Sequence, residues 1–237
     1  MENMNNLEEF KQYVLKCYPQ EAVGIIVHNH FIPMENIHND PCNYFELSSL
    51  DCFRIAELTE EYSIVHSHTM ETFIDDPRTP SFEDMQGQNN STVPWGIVHC
   101  DGTVVTDILW FGTPRTEVVL GKNYVSNVDD CFTLARDFYY TNFNVDVGVH
   151  PRPADWEEWN QHYILQNYAK LGFTEVKKAE FGDILLFTIA SRTVNHIGIF
   201  LQEDTFIHHL HGRKSCEDSV SKWNRQLTKI IRYTNGS

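Results

Sequence analysis

The sequence predicts a mixed α+β (mixed α/β) chain folded as two domains, residues 1–112 and 122–237 with a linker at 113–121, and three observations carry that expectation. Short apolar runs of strand character alternate with segments whose apolar residues recur at helical spacing. Residues 1–112 hold 4 Lys and Arg against 18 Asp and Glu, while residues 113–237 hold 14 against 15, so nearly all of the net charge of −15 lies in the first half. Between the halves, Gly112-Thr-Pro-Arg-Thr116 breaks the pattern as a linker does.

The bulk composition sets outer limits. At 237 residues the chain can bury two small cores, and 41% hydrophobic with 13% aromatic residues is a globular composition rather than a disordered one. No apolar run approaches the roughly 18–20 residues that span a bilayer. The start, Met1-Glu-Asn-Met-Asn-Asn-Leu-Glu-Glu9, has neither a basic nor an apolar leader region, so retention in the cytoplasm where it is made is expected. An acidic chain without clustered Lys and Arg argues against nucleic acid as a partner. The six cysteines form no Cys-x-x-Cys pair, and scattered single cysteines in a cytoplasmic chain are small buried side chains rather than disulfides.

In chain order, Leu7, Phe10 and Val14 mark a first helix, followed by Glu21-Ala-Val-Gly-Ile-Ile-Val27 as a strand and a turn at His28-Asn-His30 into Phe31-Ile-Pro33. Leu50 to Tyr62 reads as a helix running into Ile64-Val65-His66-Ser67-His68. Strand side chains alternate, so His66 and His68 lie on one face and can share one ion. Pro80-Ser81-x-x-Asp84 reads as a helix start with Ser81 as N-cap, placing the Asp84 carboxylate in the first turn. Taken singly, each is also what a packed strand or a capping box looks like. Pro94 to Cys100 and Thr103 to Phe111 read as a hairpin about Asp101-Gly102, a type I′ turn signal, with His99 as a packing residue.

Glu21, His66-Ser67-His68 and Ser81-x-x-Asp84, in that order, resemble the JAMM (MPN-type) metallopeptidase signature over residues 1 to 112. The resemblance implies an α-β-α domain in which His66, His68 and Asp84 bind Zn2+, Glu21 activates the water and Ser81 helps to hold the oxyanion. Two departures stand out: the stretch from His68 to Ser81 is longer than in most members, and Thr69 replaces a common proline.

In the second half, Leu134, Ala135, Phe138 and Tyr139 recur at helical spacing, which places Cys131 in a first helical turn where the dipole favours a thiolate. A buried apolar cysteine is the alternative. Phe181 to Ile189, His196 to Leu201 and Phe206-Ile-His208 read as strands. His196 is the candidate base and His208 its orienting partner, with His209 alternating to the opposite face. Asp155 to Tyr168 reads as an amphipathic helix packed through Trp156, Trp159 and Tyr163.

Asp130-Cys131, Gly182-Asp183-Ile-Leu-Leu-Phe187, Asn195-His196-Ile-Gly-Ile199 and Phe206-Ile-His208 resemble the NlpC-type cysteine peptidases, papain-like α+β enzymes that cut peptides of the bacterial cell wall. By that resemblance Cys131 is the nucleophile, His196 the base and His208 the third member, with Tyr124 a candidate oxyanion donor beside the Cys131 N–H. Phe132-Thr133 replaces the Ser-Gly usual after the cysteine, and Thr133-Leu-Ala-Arg136-Asp137-Phe-Tyr139 resembles instead the form seen in phage tail proteins. The two domains in this order resemble tail-tip components of tailed phages. That implies other phage tail tip proteins and peptidoglycan stem peptides as partners, a place at the virion tail tip, and synthesis in the bacterial host cytoplasm. A structural assembly factor with a silent zinc domain and a free cell-wall lysis hydrolase are the competing expectations.

Overall fold

A computed structural model of the chain describes residues 4–70, 76–91, 93–148, 152 and 163–234. It divides into two compact units, Met1–Thr113 and Pro114–Ser237. Among the described residues, no helix is long and apolar enough to cross a membrane.

The first unit is a five-stranded sheet with helices. α1 (Met4–Cys17) leads to β1 (Val23–Val27) and β2 (His30–Met34), then α2 (Ser49–Ala56), β3 (Tyr62–His68), α3 (Phe82–Ser91), β4 (Trp95–His99) and β5 (Leu109–Phe111). The sheet order is β2-β1-β3-β4-β5, with β3 and β4 parallel and the other neighbours antiparallel. α1 docks through Phe10 and Val14, which join Ala22, Val65, Val98 and Cys100 in one buried cluster. Phe31 of β2 stacks on Phe10 with ring centroids 5.1 Å apart. The turn between β1 and β2 holds His28 and Asn29 at positive φ (46° and 65°), the handedness that a two-residue hairpin demands. Pro33, which cannot donate to a ladder, sits on β2 at the edge of the sheet.

Two expectations for this unit are corrected. The helix expected from Leu50 to Tyr62 is only the two turns of α2: Ser48 caps it by accepting from Asp51 N–H, and the chain leaves it at Glu57 before β3 begins. The hairpin after β4 turns at Gly102-Thr103, one residue beyond Asp101-Gly102: Asp101 N–H donates to the Val104 carbonyl (3.3 Å) and Cys100 pairs with Val105. The Asp101 side chain takes the N–H groups of Thr103 (2.8 Å) and Val104 (2.7 Å), and the strand expected from Thr103 to Phe111 is only Leu109–Phe111.

The second unit places α4 (Cys131–Phe143) and α5 (Tyr163–Asn167) with a six-stranded sheet of β6 (Phe173–Val176), β7 (Ile184–Phe187), β8 (His196–Gln202), β9 (Thr205–His208), β10 (Cys216–Ser219) and β11 (Leu227–Tyr233). The order is β10-β9-β8-β7-β11-β6, antiparallel throughout. α4 buries Cys131, Leu134, Ala135, Phe138 and Tyr139 against Ile184, Leu186, Ile197, Ile199 and Ile231 of the sheet. Tyr139 Oη donates to the carbonyl of Gly182 (2.6 Å), tying the far end of the helix to the turn before β7. β6, β10 and β11 were not expected from sequence, because the charged residues in Thr-Glu-Val, Cys-Glu-Asp-Ser and Thr-Lys-Ile-Ile-Arg obscure their alternation.

The stretch 113–121 carries no helix or strand, yet it is no free linker. Arg115 N–H donates to Asp137 Oδ1 (2.8 Å) and its guanidinium to Asp129 Oδ1 (2.7 Å), so these residues are bonded into the second unit. Of the helix expected from Asp155 to Tyr168, Tyr163–Asn167 is α5; residues 155–162, with Trp156 and Trp159, lie outside the described residues.

Candidate functional site

In the first unit, β3 delivers both imidazoles. His66 and His68 are buried, with Nε2 atoms 3.2 Å apart. α3 enters opposite them, and its start is fixed reciprocally: Asp84 N–H donates to Ser81 Oγ (3.0 Å) while Ser81 N–H donates to Asp84 Oδ2 (2.8 Å). The cap aims the carboxylate, with Oδ1 3.2 Å from His66 Nε2 and Oδ2 3.2 Å from His68 Nε2. His68 Nδ1 lies 3.0 Å from the Pro77 carbonyl, an acceptor only, so Nδ1 carries a proton; burial would lower the proton affinity of this ring, but Asp84 and Glu21 raise it above its ordinary value. The His66 ring is held between Phe45 (4.8 Å) and Trp95 (5.8 Å).

Glu21 reaches this cluster through the strand register. Val23 stands opposite His66, Ala22 N–H donates to Ser67 Oγ (2.9 Å), and Ser67 N–H donates to the Ala22 carbonyl (2.9 Å), which sets Glu21 beside His68 just ahead of β1. Asn36 and Pro41 hold its backbone: Asn36 Nδ2 donates to the Glu21 carbonyl (3.0 Å), and Glu21 N–H to that of Pro41 (2.7 Å). Glu21, His68, Ser81 and Asp84 line one cavity of about 540 Å3. Burial pushes the Glu21 carboxyl up to about 8, with Asp84 and Asp40 adding to the rise and His68 opposing it. Burial would also raise Asp84, but the facing His66 and His68 rings hold it well below the usual carboxylate range.

This donor set fits a divalent ion. Three ligand atoms of His66, His68 and Asp84 lie within 4.8 Å of one another, with the two ring nitrogens 3.2 Å apart. Two imidazoles and one carboxylate are the ligand chemistry of an open zinc site.

In the second unit, Asp130 is the N-cap of α4, its Oδ1 accepting from Phe132 and Thr133 N–H (both 2.9 Å) while Asp130 N–H donates back to Thr133 Oγ1 (2.8 Å). Its other oxygen is paired with the buried Arg152, whose guanidinium also lies 4.0 Å over the Phe132 ring. Burial would raise the Asp130 carboxyl; Arg152 and the capping N–H groups hold it low, so a carboxylate stands beside Cys131. β8 and β9 supply the imidazoles, His196 Nε2 lying 3.0 Å from His208 Nδ1. Cys131 and His196 line one cavity of about 180 Å3 with Tyr124, Arg152, Asn195, His209 and His211.

Electrostatics here depart from the expected helix-start thiolate. Burial, then the Asp130 charge, push the Cys131 thiol up to about 12, outweighing Arg152 and the backbone N–H groups of Ile197 and Cys131. Burial pushes His196 down to about 3 and His208 down to about 4. The resting pair is a neutral thiol and a neutral imidazole. Burial likewise keeps Tyr124 protonated and a hydrogen-bond donor. His209 is a second correction: β9 ends at His208, strand alternation ends with it, and His209 turns back to line the Cys131 cavity. Arg152 also escaped the sequence reading, since no spacing to Asp130 or Cys131 marks it.

Comparison with known proteins bears on both units. Residues 115–232 match the family model of the NlpC/P60 family. Tail tip assembly protein K of Escherichia phage N15 is 26% identical over 227 residues, covering 91% of this chain and 89% of that protein. Tail tip assembly protein K of Escherichia phage lambda is 28% identical over 153 residues, covering 63% and 73%. A crystal structure of an NlpC/P60 family protein from Bacillus cereus is similar at 12% identity and a TM-score of 0.33, covering 94% of this chain and 66% of that one.

Proposed function

We propose, from the premise that residues 115–232 are an NlpC/P60 domain, that the chain is a tail-tip protein of a tailed phage whose second unit hydrolyses peptides of the bacterial cell wall through Cys131. The observation that carries the reading is one cavity lined by a helix-start thiol and by an imidazole already bonded to a second imidazole. Similarity along 91% of the chain to the tail tip protein of phage N15 supports the tail-tip setting and other tail proteins as partners.

The tautomers follow from the geometry. For His196 to accept the Cys131 proton at Nδ1, its Nε2 must carry a hydrogen and donate to His208 Nδ1, 3.0 Å away. His208, pushed down to about 4, is neutral at ordinary pH and offers that lone pair. Proton transfer then accompanies attack of Sγ on the scissile carbonyl, giving a thioester as His196 returns the proton to the leaving amine; water releases the acyl group by the same base. The Cys131 N–H and the hydroxyl of Tyr124, which lines the same cavity, would be the donors to the developing oxyanion. Digestion of purified peptidoglycan by wild type and by Cys131→Ala tests this: a soluble peptide product from wild type alone supports it, and equal product from both removes Cys131 from the chemistry.

For the first unit we infer a JAMM/MPN-type peptidase centre in which His66, His68 and Asp84 hold Zn2+. The bound ion would supply a Lewis acid and a water of lowered pKa. Glu21, held out of water beside His68, takes a proton at its carboxylate and passes it to a leaving amine. Ser81 accepts Asp84 N–H at Oγ and so keeps its hydroxyl hydrogen for a carbonyl oxygen in the cavity. Zinc analysis of wild type and His66→Ala checks the ligand set; near-stoichiometric metal in both sinks it.

A further inference from the structure

The cavity that holds Cys131 and His196 has a lip, made by the connection between β9 and β10. Leu210 and His211 line that cavity. Two residues on, Arg213 N–H donates to the Leu210 carbonyl (3.0 Å), which closes Leu210-His211-Gly212-Arg213 into a four-residue turn, and Gly212 supplies the positive φ (72°) that the third position of such a turn takes. Closure brings the Arg213 Cα within about 7 Å of that of Leu210.

The base of the turn is fixed and its tip is open. Ser215 is buried: its N–H donates to the Lys122 carbonyl (3.0 Å), its carbonyl accepts Gly121 N–H (2.8 Å) and its Oγ accepts Lys122 N–H (3.1 Å). His211 packs edge-on against Tyr124, a second lining residue, with ring centroids 5.0 Å apart at 88°. His211, Gly212, Arg213 and Lys214 are all exposed, and a Cβ on Gly212 would meet nothing within 4 Å.

Positive charge at this lip is uncompensated. Neither Arg213 nor Lys214 has a side-chain hydrogen bond or ion pair among the described residues. The carboxylate in the cavity lining, Asp130, is committed to the cap of α4 and to Arg152. Burial is the main cause of the lowered His208; Asp218 opposes it and the Arg213 charge adds to it, so Arg213 stands within Coulombic range of the imidazole bonded to His196.

A guanidinium presents paired N–H donors in a plane that matches a carboxylate. We infer that Arg213 is a specificity-determining residue of the peptidase site, pairing with a carboxylate of the bound peptide that lies over the Leu210–Arg213 turn. The inference rests on the cysteine-peptidase reading and narrows its substrate to an acidic peptide. Lys214, one residue beyond the turn, adds positive potential without the pairing.

The experiment crosses enzyme charge with substrate charge on the full chain. The substrates are a synthetic cell-wall stem peptide and a set in which each carboxyl group in turn is converted to the amide, which removes the charge and keeps the shape. The enzymes are wild type, Arg213→Gln, Arg213→Lys and Lys214→Gln, all changed at exposed positions. With wild type, amidation of one carboxyl is expected to raise KM about fivefold, the upper range for an ion pair open to water, with kcat changed less than about twofold. Arg213→Gln raises KM for the parent peptide by the same factor and no longer distinguishes the two peptides. Arg213→Lys keeps part of the discrimination, Lys214→Gln keeps nearly all of it, and added salt shrinks the wild-type difference. Discrimination that survives Arg213→Gln overturns the inference. So does its complete removal by Lys214→Gln, which would show a diffuse surface potential in place of a pairing. If Cys131→Ala turns over the parent peptide as fast as wild type, the peptidase reading falls and the inference with it; an active wild type indifferent to every amidation removes the inference alone.

Discussion

Cys131, His196 and His208 owe their protonation to burial, and that has measurable consequences at the scale of single groups. A thiol pushed up to about 12 is protonated at neutral pH. Alkylation of the resting protein by iodoacetamide is therefore expected to be slow at neutral pH and to climb steadily through the alkaline range; a fast, pH-independent rate at neutral pH would show a thiolate and refute the neutral pair. The imidazoles give a stability signal of opposite sense. His196 (about 3) and His208 (about 4) bind protons less well folded than at their ordinary 6.5, so their contribution is present above about pH 6.5 and lost as pH falls toward 4 and 3. The thermal midpoint drops over that window, and His208→Gln, which cannot take up the proton, shows a shallower drop; parallel profiles would contradict the assignment. Individual residues were unevenly legible in the sequence. His66, His68 and Asp84 could be named because period-two alternation and a capping turn fix direction locally. His209 and Arg152 could not, because their positions depend on where β9 stops and on a pairing across 22 residues between Asp130 and Arg152.

At the scale of elements, the sites depend on two local devices. The first is the reciprocal cap of α3, which aims Asp84. Ser81→Ala removes a cap worth about 1 kcal/mol and frees the carboxylate to rotate. Lower thermal stability together with weaker zinc retention against a competing chelator is expected, whereas unchanged zinc retention would separate the cap from the ligand geometry. The second is Gly198 of β8, paired with His208 of β9. A Cβ there would lie 2.5 Å from the Phe206 ring, which is fully buried, and 3.1 Å from the Ile207 carbonyl. Gly198→Ala is expected to cost about 1–3 kcal/mol and to disturb the His196–His208 contact, read as a lower unfolding midpoint in denaturant with reduced turnover. Elements with clear periodicity were legible: α1, α4, β3, β7 and β8 fall where apolar spacing puts them. The misses share a cause, polar side chains that either compete for backbone hydrogen bonds, as Asp101 does, or mask the alternation of short strands such as β10.

Among the described residues, each unit groups its own candidate side chains: His66, His68 and Asp84 in the first, Cys131 and His196 in the second. The acid is concentrated in the first half, which holds 18 Asp and Glu against 4 Lys and Arg, and the second half is nearly balanced. Removing metal with a chelator is therefore expected to leave Cys131-dependent digestion of peptidoglycan within about twofold of its untreated rate, since none of its groups is a metal ligand. A large loss would mean that the first unit acts on the second. The division could be anticipated from charge and the break at Gly112-Thr-Pro-Arg115, which spans the edge between Thr113 and Pro114, but the membership of the expected linker could not, because Arg115 joins the second unit only through distant Asp129 and Asp137. The carboxylate that caps α4 beside the nucleophile has one last effect, on durability. Peroxide attacks sulfur in its anionic form, so a thiol kept protonated by burial and by the Asp130 charge is expected to resist conversion to sulfenic and sulfinic acids.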